Sequence, residues 1–218
     1  LSWFNPKDYS SGFLLFKLNH FSKGVDVKMN TKKLVRIAFL TALGILLMYI
    51  AFPLPFFPPF MTYDFGDLPG LIAAFAMGPW IGVLVQFLKC LLGYFLGVSK
   101  AGLVGMAANF IAGGTMILVA GLIYQHRKTK LTAVISLLVG TVVTALVMIP
   151  VNYFIFFPLW GVANESLLVM ALTVSFPFNL VKFLLTSVLT FVLYKAVKNV
   201  LEEKDFRSSE PRLNDDRA

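Results

Sequence analysis

Apolar residues in this chain gather into runs too long to be one face of a soluble helix. Ala101–Gln125 and Leu131–Phe157 hold no charged residue, and Leu167–Tyr194 is interrupted only by Lys182. Ile37–Phe52 continues a run that starts near Leu34, with Arg36 at its edge. A helix crosses a bilayer with roughly 20 apolar residues, so each run predicts a membrane span. Residues 68–97 are too long for one comfortable span and too short for two full ones. Gly78-Pro79 falls inside them, and that pair breaks a helix. The stretch is therefore one long helix, or a short helix, a tight turn and a full helix.

Basic residues choose between the two, because Lys and Arg gather at the cytoplasmic ends of spans. The clusters are Lys32, Lys33 and Arg36; Arg127, Lys128 and Lys130; and Lys195, Lys198 and Lys204. All three fall on one side only if 68–97 crosses twice. Asp64, Asp67, Glu165 and a single Lys100 then lie outside. The pattern predicts an all-α integral membrane protein with six transmembrane helices and both termini cytoplasmic. The helices cover about 34–52, 68–78, 79–98, 101–125, 131–157 and 167–197.

The net charge of +8 thus reads as an orientation signal and not as a nucleic-acid surface. Only 14% of residues are charged, against about 25% in soluble domains. One membrane domain, 29–200, accounts for most of the chain. Residues 1–28 lack the apolar stretch of about 7–15 residues that a signal peptide needs. They read as a poorly ordered extension ahead of Met29, with a short interfacial helix as the alternative. Residues 201–218 read as a charged cytoplasmic tail.

Inside the spans, Lys89 and Lys182 have no Asp or Glu to neutralise them. An intramembrane charge is expensive unless it is paired or faces a polar cavity, so the pattern predicts a polar, electron-rich ligand within the bundle. Asn179 lies on the same helix face as Lys182. Gln86 shares a face with Lys89, Asn109 lies in the fourth helix, and Asn152 follows Pro150 in the fifth. Any one of these amides could simply knit helices together, at about 0.6 kcal/mol each. The set, together with a lysine, points to a pocket in the outer half of the membrane.

Residues 53–69 carry Pro53, Pro55, Pro58, Pro59 and Pro69, which exclude a helix and favour stiff, extended backbone. The loop reads as a lid that offers Tyr63 and Asp64 to the pocket, or as an interfacial aromatic belt. Ala38 and Ala42 have the four-residue spacing of small residues that lets another helix approach closely. That helix belongs either to a partner or to this chain.

Several chemistries are missing from the sequence. It has no phosphate-binding G-x-x-x-x-G-K-[ST] loop. No His, Asp or Glu falls within a span to relay protons or hold a metal, and no Ser–His pair lies there. Cys90 is the single cysteine, which excludes disulfides. The expectation is recognition without catalysis, cofactor or metal.

On these residues the chain resembles the substrate-binding S components of energy-coupling factor (ECF) transporters, most closely the riboflavin-binding members. The 53–69 run Pro-Leu-Pro-Phe-Phe-Pro-Pro-Phe-Met-Thr-Tyr-Asp-Phe-Gly-Asp-Leu-Pro is similar to that family's first outer loop. Asn179-Leu180-Val181-Lys182 is similar to its last-helix motif, with Asn152 as partner. Ala38-x-x-x-Ala42 resembles its docking motif. The likeness covers roughly 30–200. It implies a six-helix bundle with a pocket open to the outside, riboflavin as ligand, and a transmembrane subunit with two ATPases as partners. For that ligand, Asn152, Asn179 and Lys182 suit the hydrogen-bonding edge of the isoalloxazine ring. Phe60, Phe65 or Tyr94 suit its faces, and Tyr63, Asp64 and Asn109 suit the ribityl hydroxyls. Lys89 is a further candidate for contact with the ligand, lying deeper or snorkelling towards an interface. The alternatives are an S component for another vitamin, such as thiamin or folate, and a ligand-free scaffold in which the buried polar groups satisfy one another.

Overall fold

A computed structural model describes residues 31–59, 61–99 and 101–208, with side chains as far as residue 193. The expectations for residues 1–28, Phe60 and Lys100 lie outside the described residues. The chain divides into units 1–36 and 37–218. Of the first, Thr31–Arg36 is described, and it forms the basic opening turns of a helix.

That helix, α1, is Thr31–Met48, and it buries Ile37, Thr41, Gly44, Ile45 and Met48. The spacing is the one that keeps residues on a single helical face. It stops four residues short of the expected end at 52, because Phe52 and Pro53 leave it as a strand. β1 (Phe52–Pro53) pairs antiparallel with β2 (Thr62–Tyr63), matching Phe52 to Tyr63 and Pro53 to Thr62. The proline-rich loop is extended only at these two short strands. Turns closed by Phe57 N–H to the Leu54 carbonyl and Met61 N–H to the Pro58 carbonyl bring it back on itself as a hairpin, and Pro69 already lies in the next helix.

α2 (Leu68–Met77) opens with Pro69 in its first turn, where the missing N–H costs nothing. Gly78 ends it with φ 105° and ψ 157°, and Pro79 starts α3 (Pro79–Phe95). Proline forces the preceding residue out of helical geometry, and only glycine takes that positive φ at little cost. The break expected at Gly78-Pro79 is therefore real. α4 is Gly102–His126. α5 starts at Lys130, where the Thr129 side chain accepts the Thr132 N–H at 3.1 Å. It runs to Leu159, passing through one wider turn at Asn152–Phe156. α6 begins with Asn164–Ser166 and Leu167–Met170, widens at Ala171–Ser175, and continues as Phe176–Ser208. It extends beyond the expected limit of 197.

Of these six helices, α4, α5 and α6 are long and apolar enough to cross a membrane. α2 and α3 are shorter apolar helices. α4 packs between α3 and α5, and α6 packs on α5. The main core joins Leu71 and Phe75 of α2, Met116, Ile117 and Ala120 of α4, Leu137 and Met148 of α5, and Phe183 of α6. A second cluster seats the hairpin on the bundle. In it Leu54, Met61 and Tyr63 meet Phe157, Leu167, Ala171 and Phe178.

α3 approaches α2 closely through Gly82. A Cβ there would stand 2.6 Å from the Ala74 Cβ and 2.7 Å from the Gly70 carbonyl oxygen. Backbone cannot yield as a side-chain tip does. Gly82→Ala is expected to destabilise the fold by about 1–3 kcal/mol, read as a lower thermal unfolding midpoint in detergent. An unchanged midpoint would show that the two helices have room to part.

Candidate functional site

Asp67, the residue just before α2, turns its carboxylate away from its own helix end and into the bundle, where it is fully buried. Its Oδ1 accepts hydrogen bonds from Lys89 Nζ at 2.7 Å and Gln86 Nε2 at 2.8 Å, both from α3. Its Oδ2 has Lys182 Nζ of α6 at 3.4 Å. Asp64 reaches the same lysine from the hairpin, with Oδ2 at 3.6 Å. Asp64 Oδ2 also accepts from Asn109 Nδ2 of α4 at 3.4 Å, and its Oδ1 accepts the Gly66 N–H at 2.8 Å. Gln86 Nε2 donates further to the Asn109 carbonyl at 3.2 Å. Burial alone would raise the Asp67 pKa, but the ammonium groups of Lys89 and then Lys182 outweigh it and hold this carboxyl well below the usual carboxylate range.

This corrects the expectation that the two lysines lack acidic partners. Two cations and two anions form a neutral buried cluster. The acids come from the loop, which is why a count restricted to the spans misses them. Three glycines make room for it. A Cβ on Gly44 would lie 3.1 Å from Lys89 Cδ, one on Gly66 would meet Met48 and the Gly44 carbonyl oxygen, and one on Gly113 would run into Gln86 and Asp67.

A second polar group lies where α5 and α6 widen. Asn152 Nδ2 donates to Ser175 Oγ. Asn179 Nδ2 donates to the Ser175 carbonyl at 2.9 Å and lies 3.4 Å from its Oγ. Each Asn stands two residues after a proline, in Pro150-Val151-Asn152 and Pro177-Phe178-Asn179. A proline inside a helix removes one backbone hydrogen bond and crowds the turn before it. Wider turns of this kind recur at functional sites. Ser175 is absent from the sequence-based candidates, although its place four residues before Asn179 puts both on one face.

The hairpin covers this group. Phe57 packs edge-on against Phe178, with centroids 5.3 Å apart, and Tyr63 packs against Phe65 at 5.2 Å. Tyr63 is buried, and its hydroxyl makes no hydrogen bond to the described residues. Elsewhere in the bundle, Gln86 Oε1 and Thr144 Oγ1 are also buried and have no hydrogen-bond partner among the described residues. Lys182 Nζ lies 5.6 Å from the Phe183 ring centroid.

Of the expected site residues, Asp64, Lys89, Asn109 and Lys182 thus fall in the charged cluster, Asn152 and Asn179 meet at Ser175, and Tyr63 and Phe65 pack together in the loop. Tyr94 is 40% exposed and pairs with its neighbour Phe95. Ala38 and Ala42 face outward on α1 beside Phe39, Leu46 and Tyr49, which are exposed too. A cavity of about 480 Å³ opens at the far end of α2, lined by Gly78, Tyr124, His126 and Lys128 among others. None of the expected site residues lies in it.

Residues 32–194 match the family described as ECF transporter, substrate-specific component. The chain belongs to this family. It is a multi-pass membrane protein and the substrate-binding part of a transporter, not an enzyme. It is 35% identical over 178 residues to riboflavin transporter RibU of Staphylococcus aureus, covering 78% of this chain and 93% of that protein. It is 32% identical over 184 residues to riboflavin transporter FmnP of Bacillus subtilis, covering 81% and 97%. A solved structure titled as the S component of a bacterial ECF transporter superposes with a TM-score of 0.70 at 35% identity, covering 79% of this chain and 99% of that one.

Replacing Asp67 by Asn leaves Lys89 charged, buried and without its counter-ion. Breaking a buried ion pair from one side costs about 3–5 kcal/mol. Asp67→Asn is expected to lower the thermal midpoint more than Asp64→Asn, whose ion-pair distance to Lys182 is longer. Equal midpoints for the two variants would remove Asp67 from the centre of the cluster.

Proposed function

We propose that this S component captures riboflavin in a pocket beneath the hairpin and delivers it inward with an ECF transmembrane subunit and two ATPases. The observation that carries the reading is the convergence of Asn152 and Asn179 on Ser175, next to Lys182, under a hairpin rich in aromatic residues. Ligand pockets combine an apolar lining with a few fixed polar groups. The edge of the isoalloxazine ring alternates carbonyls and ring nitrogens, which amides can both donate to and accept from. Lys182 supplies a positive donor, and Phe65 with the other hairpin aromatics supplies ring faces. Tyr63, Asp64 and Asn109 suit the ribityl hydroxyls. The similarity to riboflavin transporters supports the same ligand.

In this reading all six helices cross or enter the membrane, both termini are cytoplasmic, and the hairpin is a lid on the outer side. Asp64 yields to the ligand, since its contacts to Asn109 at 3.4 Å and to Lys182 at 3.6 Å are long. The exposed α1 face with Ala38 and Ala42 docks on the transmembrane subunit, because small residues allow close helix approach.

One observation favours the scaffold alternative. The two Asn amides already have Ser175 as partner, and both lysines already have carboxylates. Titration decides between the readings. Purified protein is expected to quench riboflavin fluorescence at one ligand per chain, and Lys182→Ala to weaken binding at least tenfold while the protein stays folded. Absence of quenching in the folded wild type would favour the scaffold or another vitamin. An unaltered Kd in Lys182→Ala would take that lysine out of the pocket.

A further inference from the structure

We propose that Lys89 and Gln86 are positioning residues for ligand recognition, acting through Asp67 to aim Lys182, and that neither touches the ligand. The inference rests on the riboflavin reading above.

Lys89 is 1% exposed, and its ammonium is committed to Asp67 Oδ1 at 2.7 Å. Its stem is closed in by α1 at Gly44, and the Gln86 amide by α4 at Gly113. Asp67 lies between this pair and Lys182. With Oδ1 held by two donors, the carboxylate is fixed in rotation and Oδ2 faces Lys182 at 3.4 Å. That separation exceeds the usual length of a charge-assisted hydrogen bond, as does the 3.6 Å to Asp64. Lys182 is therefore held in place by two carboxylates without its protons being fully committed to either.

Removing Lys89 changes this balance. The full negative charge of Asp67 then falls to Lys182, which is drawn closer to it and away from the pocket. Affinity drops although no ligand contact is lost. Because the effect runs through Asp67, it disappears once Asp67 is neutral.

The test is a double-mutant cycle of wild type, Lys89→Met, Asp67→Asn and the double variant. Each is titrated with riboflavin, its bound-flavin absorption spectrum recorded, and its thermal midpoint measured. Lys89→Met is expected to weaken riboflavin about tenfold and to shift the bound-flavin band. In the Asp67→Asn background the same change is expected to alter Kd by less than about twofold. The double variant is expected to regain thermal stability lost by Asp67→Asn. Multiplicative losses in Kd would mean that Lys89 meets the ligand directly, and an unchanged Kd in Lys89→Met would mean that it plays no part; either overturns the inference. Should a charge variant fail to fold, Gln86→Met keeps every charge and carries the test. It is expected to weaken binding and shift the band in the same direction, and an unaltered Kd and spectrum overturns the inference. Failure of the wild type to bind riboflavin would instead overturn the functional reading on which all this rests.

Discussion

A carboxylate buried between two lysines is the constraint that organises this protein. In a low-dielectric interior an unpaired charge is far more costly than in water, and a charge pair is correspondingly tight. Asp67 answers Lys89 directly and shares Lys182 with Asp64. To do so it must enter the bundle from the loop, which sets where α2 begins and where the hairpin sits. Gly44, Gly66 and Gly113 are the space this arrangement needs, contributed by α1, the loop and α4. Local sequence choices and helix packing thus answer one electrostatic requirement.

The same arrangement divides the site into a fixed part and an exchangeable part. The Asp67–Lys89–Gln86 corner has short contacts and no solvent exposure. The Asp64–Asn109–Lys182 side has contacts of 3.4–3.6 Å. In the proposed reading, a ligand with an electron-rich edge competes with the second without dismantling the first. The hairpin links the two, since Asp67 anchors one end of a loop whose Tyr63 and Phe57 lie over α5 and α6. A binding component that supplies no catalysis needs such a division: a rigid frame that fixes the donors, and a cover that admits the ligand.

Much of this was legible in the residues. Long uncharged runs revealed the helices, and Gly78-Pro79 revealed the break between α2 and α3. Proline density exposed the non-helical loop, and Asn152, Asn179 and Lys182 stood out as polar groups in apolar surroundings. The pairing of the lysines was hidden, because hydropathy assigns Asp64 and Asp67 to the loop and carries no information about where a loop folds back. Ser175 was hidden for a related reason, as a serine in a helix is usually unremarkable. The repeated Pro-x-Asn pattern was visible as a pair of prolines, but the widened turns that bring the two asparagines to one serine depend on how α5 and α6 pack.

In the proposed mode of binding, riboflavin takes the Lys182 side of the cluster while the Asp67–Lys89 pair persists. A high-resolution structure of the flavin-bound protein tests it most directly. The isoalloxazine edge is expected within hydrogen-bond distance of Asn152, Asn179 and Lys182, with Lys89 still on Asp67 and Asp64 turned towards the ribityl chain. A flavin seated in the cavity near His126, or a Lys89 that has left Asp67 for the ligand, would contradict it.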